Sequence, residues 1–167
     1  MLLVGGCSKS NDSPSPTSSA SGGLLDKALK ESTTGDTAGA KRDFKALATQ
    51  NPGEKLAPYN LGVIAQRAGD DATAVAEYNK ALAIDPNYEP ALYNLAILIA
   101  KKGDNSSAVA LYQRAIKANP KDANAHYNLG LLYQSMGDLQ KAVAEVNAAI
   151  KLNPSLKPIS TSSPAAK

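Results

Sequence analysis

Between Leu56 and Ala68 the apolar residues Leu61, Ile64, Ala65 and Ala68 fall three and four apart, the spacing that gathers side chains on one stripe of an α-helix. Gly69 then supplies a residue able to take left-handed backbone, a common way for a helix to close. Asp70 or Asp71 follows, and either carboxylate can accept from the free amides of a new helix. That second helix places Ala74, Val75, Tyr78, Ala81 and Leu82 on one face, and Asp85-Pro86 forbids its continuation. The pattern predicts a unit of two helices joined by a tight turn and stopped by proline.

The unit recurs along the chain. Tyr59-Asn60-Leu61-Gly62 returns as Tyr93-Asn94-Leu95-Ala96 and as Tyr127-Asn128-Leu129-Gly130, each a step of 34 residues. The same step carries Gly69-Asp70 to Gly103-Asp104 and Gly137-Asp138, Ala74-Val75-Ala76 to Ala108-Val109-Ala110 and Ala142-Val143-Ala144, and Pro86 to Pro120 and Pro154. One step backwards lies a worn copy, with Gly35-Asp36 at the turn, Ala40 and Phe44 on the second helix and Asn51-Pro52 at the stop. Its first helix, expected near Leu24 to Glu31, lacks the Tyr-Asn-Leu core. An end repeat has one face in solvent instead of against a neighbour, so a degenerate copy is expected there. The repeats are 21–54, 55–88, 89–122 and 123–156, giving an array over 24–154.

These residues resemble the tetratricopeptide repeat family, in which a Leu-Gly or Leu-Ala pair, a turn Gly, an Ala, an aromatic, a second Ala and a final Pro recur every 34 residues. The resemblance implies an all-α fold, a right-handed superhelical solenoid of helix-turn-helix units, and a general role as a scaffold for protein assemblies. Pro58 and His126 depart from the family by standing where a large apolar residue is preferred, and Val146 by standing where the neighbouring copies have Tyr78 and Tyr112. Gly62, Ala96 and Gly130 are small enough to let the first helix of each unit approach the second.

On the first helices Tyr59, Val63 and Gln66 share a face, as do Tyr93, Ile97 and Ala100, and Tyr127, Leu131 and Gln134. The resemblance puts this face on the concave side of the superhelix, with Asn60, Asn94 and Asn128 adjacent and Arg67 and Lys101 at the rim. Tyrosine offers wide contact area at low entropy cost, and Asn can donate to and accept from a peptide backbone. The candidate is therefore a groove for protein or peptide partners, with the two cations favouring an acidic ligand. An alternative stays open, in which Tyr and Asn serve only to tie one repeat to the next. Some family members hold the C-terminal carboxylate of chaperone peptides through Lys, Asn and Arg on these helices. Tyr59, Tyr93, Val63 and Ile97 occupy places where such a site needs polar or basic groups, so that ligand class is disfavoured. At the end of the array, Val143, Val146 and Ile150 are expected to lie open and to support weak homodimerisation or docking.

Ahead of the array, Ser8 to Gly23 is rich in Ser, Gly and Pro and is expected to be a disordered tether, as is the tail 155–167. Before it, Met1-Leu-Leu-Val-Gly-Gly-Cys7 looks like the end of a bacterial lipoprotein signal, with apolar and then small residues leading to the cysteine that is lipidated. It lacks a basic segment and has an apolar core shorter than the roughly 7 to 15 residues of a working signal, which points to an upstream start or a truncated piece. Lipidation of Cys7 would anchor the array to a membrane of the cell envelope. No uninterrupted aliphatic run approaches the roughly 18 residues that span a bilayer.

Composition narrows the function further. Of the net charge of +3, Lys157 and Lys167 lie outside the array and Lys9 is cancelled by Asp12, leaving a near-neutral body with no basic stripe for phosphate backbones, so nucleic acid is excluded as a partner. The single cysteine allows no internal disulfide and the single His126 no catalytic Cys/His or Ser/His/Asp set; His126 is expected to pack and hydrogen-bond. Neither a phosphate-cradling loop nor metal-ligand spacing occurs, and Asp36, Asp70, Asp104 and Asp138 have a capping role. The reading is a non-catalytic adaptor without cofactor or metal, anchored as an envelope lipoprotein that helps a complex assemble. The alternatives are a soluble cytosolic adaptor and an accessory subunit of an envelope enzyme.

Overall fold

The computed structural model describes residues 17–159. They form eight helices and, among the described residues, no strand: α1 (Thr17–Thr34), α2 (Thr37–Gln50), α3 (Leu56–Arg67), α4 (Asp71–Ile84), α5 (Glu89–Lys101), α6 (Asn105–Ala118), α7 (Ala123–Ser135) and α8 (Leu139–Leu152). Each odd helix packs on the even helix after it, and each even helix meets the first helix of the next pair. The result is the all-α solenoid that the family resemblance implies.

The turns show why the pattern is so regular. Gly35, Gly69, Gly103 and Gly137 all take positive φ, between 78° and 90°, which closes each first helix. The next residue is in every case an N-cap aspartate: Asp36, Asp70, Asp104 and Asp138 accept from the backbone amides of Gly39, Thr73, Ser107 and Lys141. The side chains of Thr73, Ser107 and Lys141, and then these amide bonds, hold the Asp70, Asp104 and Asp138 carboxyls below the usual range.

Within each pair, small residues set the approach. A Cβ on Gly62 would lie 2.7 Å from the Tyr78 ring, and one on Gly130 would lie 2.6 Å from Val146 Cγ2. Ala96 is fully buried at the equivalent place. This geometry corrects the expectation for Val146. It is 1% exposed and points at its own repeat's first helix, as Tyr78 and Tyr112 do, and not at the open end of the array. Val143 and Ile150 are half-buried.

Both ends of the array are more ordered than composition suggested. α1 begins at Thr17, so residues 17–23, read as tether, are helical. They follow Pro16 and run in phase into Leu24, Leu25, Ala28 and Leu29, which pack in the cluster around Phe44 and Leu47. A helix nucleated by that packing extends at little further cost. At the other end Ile159 packs against the cluster that holds Leu129, Leu132 and Tyr133, which places the start of the tail on the array. Cys7, the rest of the tether and residues 160–167 lie outside the described residues.

Candidate functional site: a groove along the first helices

The tyrosine and asparagine columns meet across the joints. Asn94 Nδ2 donates to the Tyr59 hydroxyl at 3.4 Å, and one repeat on Asn128 Nδ2 donates to the Tyr93 hydroxyl at 2.9 Å. Tyr59 also meets Tyr88 edge-on at 5.2 Å between centroids, and Tyr93 meets Tyr112 in the same way at 6.0 Å. The ladder is incomplete at both ends. Leu25 stands where a tyrosine would meet Asn60, and Asn60 turns back to donate to the Leu56 carbonyl at 2.8 Å. At the other end Tyr127 makes no hydrogen bond among the described residues. Tyr59, Asn94, Tyr93 and Asn128 therefore do tie repeats together, while their half-buried side chains also border the groove.

Burial pushes the phenols of Tyr59, Tyr78, Tyr93 and Tyr112 above their ordinary range, and that of Tyr88 to about 12. All are protonated donors at neutral pH.

Two hollows open along this face. The first, of about 470 Å³, is lined by Tyr59, Val63, Gln66, Arg67, Tyr78 and Asn94. The second, of about 350 Å³, is lined by Ile97, Ala100, Tyr112, Asn128, Leu131 and Leu132. Val63 and Ile97, Tyr78 and Tyr112, and Asn94 and Asn128 are equivalent positions, so these are the same hollow one repeat apart. Leu131 is 39% exposed beside the second. Of the two rim cations, Lys101 is bound to Asp71 at 2.6 Å, whereas exposed Arg67 forms no ion pair among the described residues. Thr37 occupies, one repeat earlier, the position of Asp71.

His126 has the packing role expected of it: Nδ1 lies 2.7 Å from Glu145 and Nε2 3.3 Å from the Pro120 carbonyl. In the same column Leu92 is fully buried, but Pro58 is too small to fill its joint. A cleft of about 570 Å³ remains between α2 and α4, lined among others by Ala48, Pro52, Pro58, Leu61 and Ile84 and rimmed by Lys45 and Glu77. Sequence reasoning noted Pro58 as a departure without seeing that it leaves a cleft. Among the described residues no group of three or more His, Cys, Asp or Glu is placed to hold a metal, and no helix is long and apolar enough to cross a membrane.

Near Tyr93, at the start of α5, Glu89 lies beside Asp122. Burial and then the Asp122 carboxylate push the Glu89 carboxyl up to about 7. The folded chain thus binds this proton more tightly than the unfolded chain does. The associated stability is full below the unfolded carboxyl pKa of about 4.3 and is lost as pH rises through 7. Glu89→Gln is expected to raise the melting temperature at pH 8 by about 2–4 °C and to change it little at pH 5. Scanning calorimetry at the two pH values checks this, and a larger gain at pH 5 would contradict it.

Tetratricopeptide repeat family models match residues 25–89, 77–110, 98–137 and 123–156, which together cover the array. One crystal structure of MamA is 30% identical over 76% of this chain and 74% of that one, with a TM-score of 0.68. Another, of MamA protein, is 28% identical over 82% and 75%, with a TM-score of 0.72. YrrB, described as a tetratricopeptide repeat protein with an unusual peptide-binding site, shares the fold at 20% identity over 82% and 71%, with a TM-score of 0.67. No curated protein matches by sequence. The chain belongs to the tetratricopeptide repeat family. Family and neighbours together support a protein-interaction scaffold.

Proposed function

We propose that the chain is a non-catalytic adaptor that seats segments of partner proteins along the groove of its first helices. The observation that carries this reading is the pair of equivalent hollows, one repeat apart, bordered by tyrosines and by the exposed apolar Leu131. Tyrosine rings held by their neighbours give contact area already ordered before a partner arrives, which lowers the entropy cost of binding. YrrB, an array of the same fold, is described as carrying a peptide-binding site.

The same proposal holds the array at the bacterial envelope by a lipid on Cys7, where it helps a membrane-associated complex assemble. Small residues directly before Cys7 and a Ser/Pro-rich stretch after it support this layout. Cys7→Ala in the full-length gene product is expected to move the protein from the membrane to the soluble fraction and to abolish radiolabelled fatty-acid incorporation, with helicity by circular dichroism unchanged. Retention of the alanine variant in the membrane pellet would contradict the anchor and leave the groove untouched.

A further inference from the structure

Resting on the groove reading, we infer that the partner presents an ordered pair of side chains: a carboxylate seated at Arg67 and an apolar side chain seated one repeat on, beside Ile97 and Leu131.

The first hollow has an unusual polarity. Its polar lining comes from Tyr59, Gln66, Arg67, Tyr78 and Asn94, with no carboxylate among the lining residues. The Tyr78 hydroxyl donates to Gln66 Oε1 at 2.6 Å, which leaves the Gln66 amide nitrogen with both protons to offer. Asn94 donates to the Tyr59 oxygen, so the Tyr59 proton is itself unspent. The Arg67 guanidinium adds a fork of N–H donors and a full positive charge. The Tyr59 proton, the Gln66 amide and the Arg67 guanidinium around one hollow lack an acceptor, and a carboxylate side chain supplies two acceptor oxygens and the opposite charge.

Comparison with the next repeat shows that this is particular to one joint. Ala100 replaces Gln66, and Lys101, the counterpart of Arg67, is turned to Asp71. What remains in the second hollow is Ile97, Ala100, Leu131 and Leu132 beside the Tyr112 ring, a setting for an aliphatic or aromatic side chain. At the other end of the first helices Lys55 and Glu54 both stand by Tyr88, whereas Glu89 and Asp122 lie near Tyr93, so a ligand carboxylate displaced toward Tyr93 meets like charge. The groove therefore fixes both the register and the direction of its ligand. The two hollows are one repeat apart, and a step of about 10 Å is crossed by an extended peptide in about three residues.

The test is selection of a random dodecamer display library on the full chain, followed by titration of the best synthetic peptide by calorimetry. Enriched peptides are expected to carry Asp or Glu about three residues from Leu, Ile, Phe or Met. Arg67→Gln should weaken binding about tenfold, and Arg67→Lys less. Changing the peptide's acid to its amide should cost the same and add little on top of Arg67→Gln. Leu131→Asp, at an exposed position, reports separately on the groove. If Leu131→Asp abolishes binding while Arg67→Gln does not alter it, or if enriched peptides carry no acid, the inference is overturned and the groove reading stands. If neither variant alters binding, or no peptide is enriched, both fall.

Discussion

Val146→Glu is expected to unfold the last repeat. Val146 is 1% exposed and lies against Gly130. A carboxylate at so buried a position loses its hydration, at a cost on the order of 4 kcal/mol. Because an array is held together by neighbour interfaces, the loss should begin at one end. Hydrogen exchange should show α7 and α8 losing protection while α3 to α6 keep most of theirs. An unchanged melting temperature would mean that Val146 faces solvent, the placement expected from sequence.

The second large effect separates two tyrosines that look alike in the sequence. Tyr93 accepts from Asn128 and meets the Tyr112 ring edge-on, so Tyr93→Ala removes a cross-repeat bond and an aromatic pair and should destabilise the fold by about 2–3 kcal/mol. Tyr127 makes no such bond among the described residues, and Tyr127→Ala should cost less than about 1 kcal/mol. Thermal melts of the two variants check the difference directly. Equal costs would contradict the ladder. The comparison also shows how binding must be read: lost binding in Tyr93→Ala mixes two effects, whereas lost binding in Tyr127→Ala reports on the groove.

The repeat was legible because its determinants are local. A glycine at positive φ, an aspartate cap and a proline stop act within a few residues of where they stand, and at a fixed period they write the helix boundaries into the chain. What the sequence concealed depends on partners distant along the chain. Val146 shows apolar spacing on α8, but only the approach of Gly130 decides which way it points. Arg67 and Lys101 look equivalent until Asp71 is seen to hold one and Thr37 to leave the other open. The Ser/Gly run at the start of α1 has a composition that resists order, and the packing of Leu24, Leu25 and Leu29 overrides it.

The column of equivalent residues was legible, and its Tyr–Asn bonds show that these side chains tie one repeat to the next. The same side chains that join the repeats also present their outer edges to the hollows. That sharing explains why the tyrosines are half-buried and not wholly exposed. It also gives the groove a fixed shape, since a ring that rotated away would break a joint.

The central claim is that partners bind along the first helices. It is tested most directly by amide chemical-shift mapping of the full chain titrated with a bound peptide. The account predicts shifts clustered at Tyr59, Val63, Arg67, Asn94, Ile97, Asn128 and Leu131. Shifts confined to Ala48, Leu61 and Ile84, around the cleft that Pro58 leaves between α2 and α4, would contradict it.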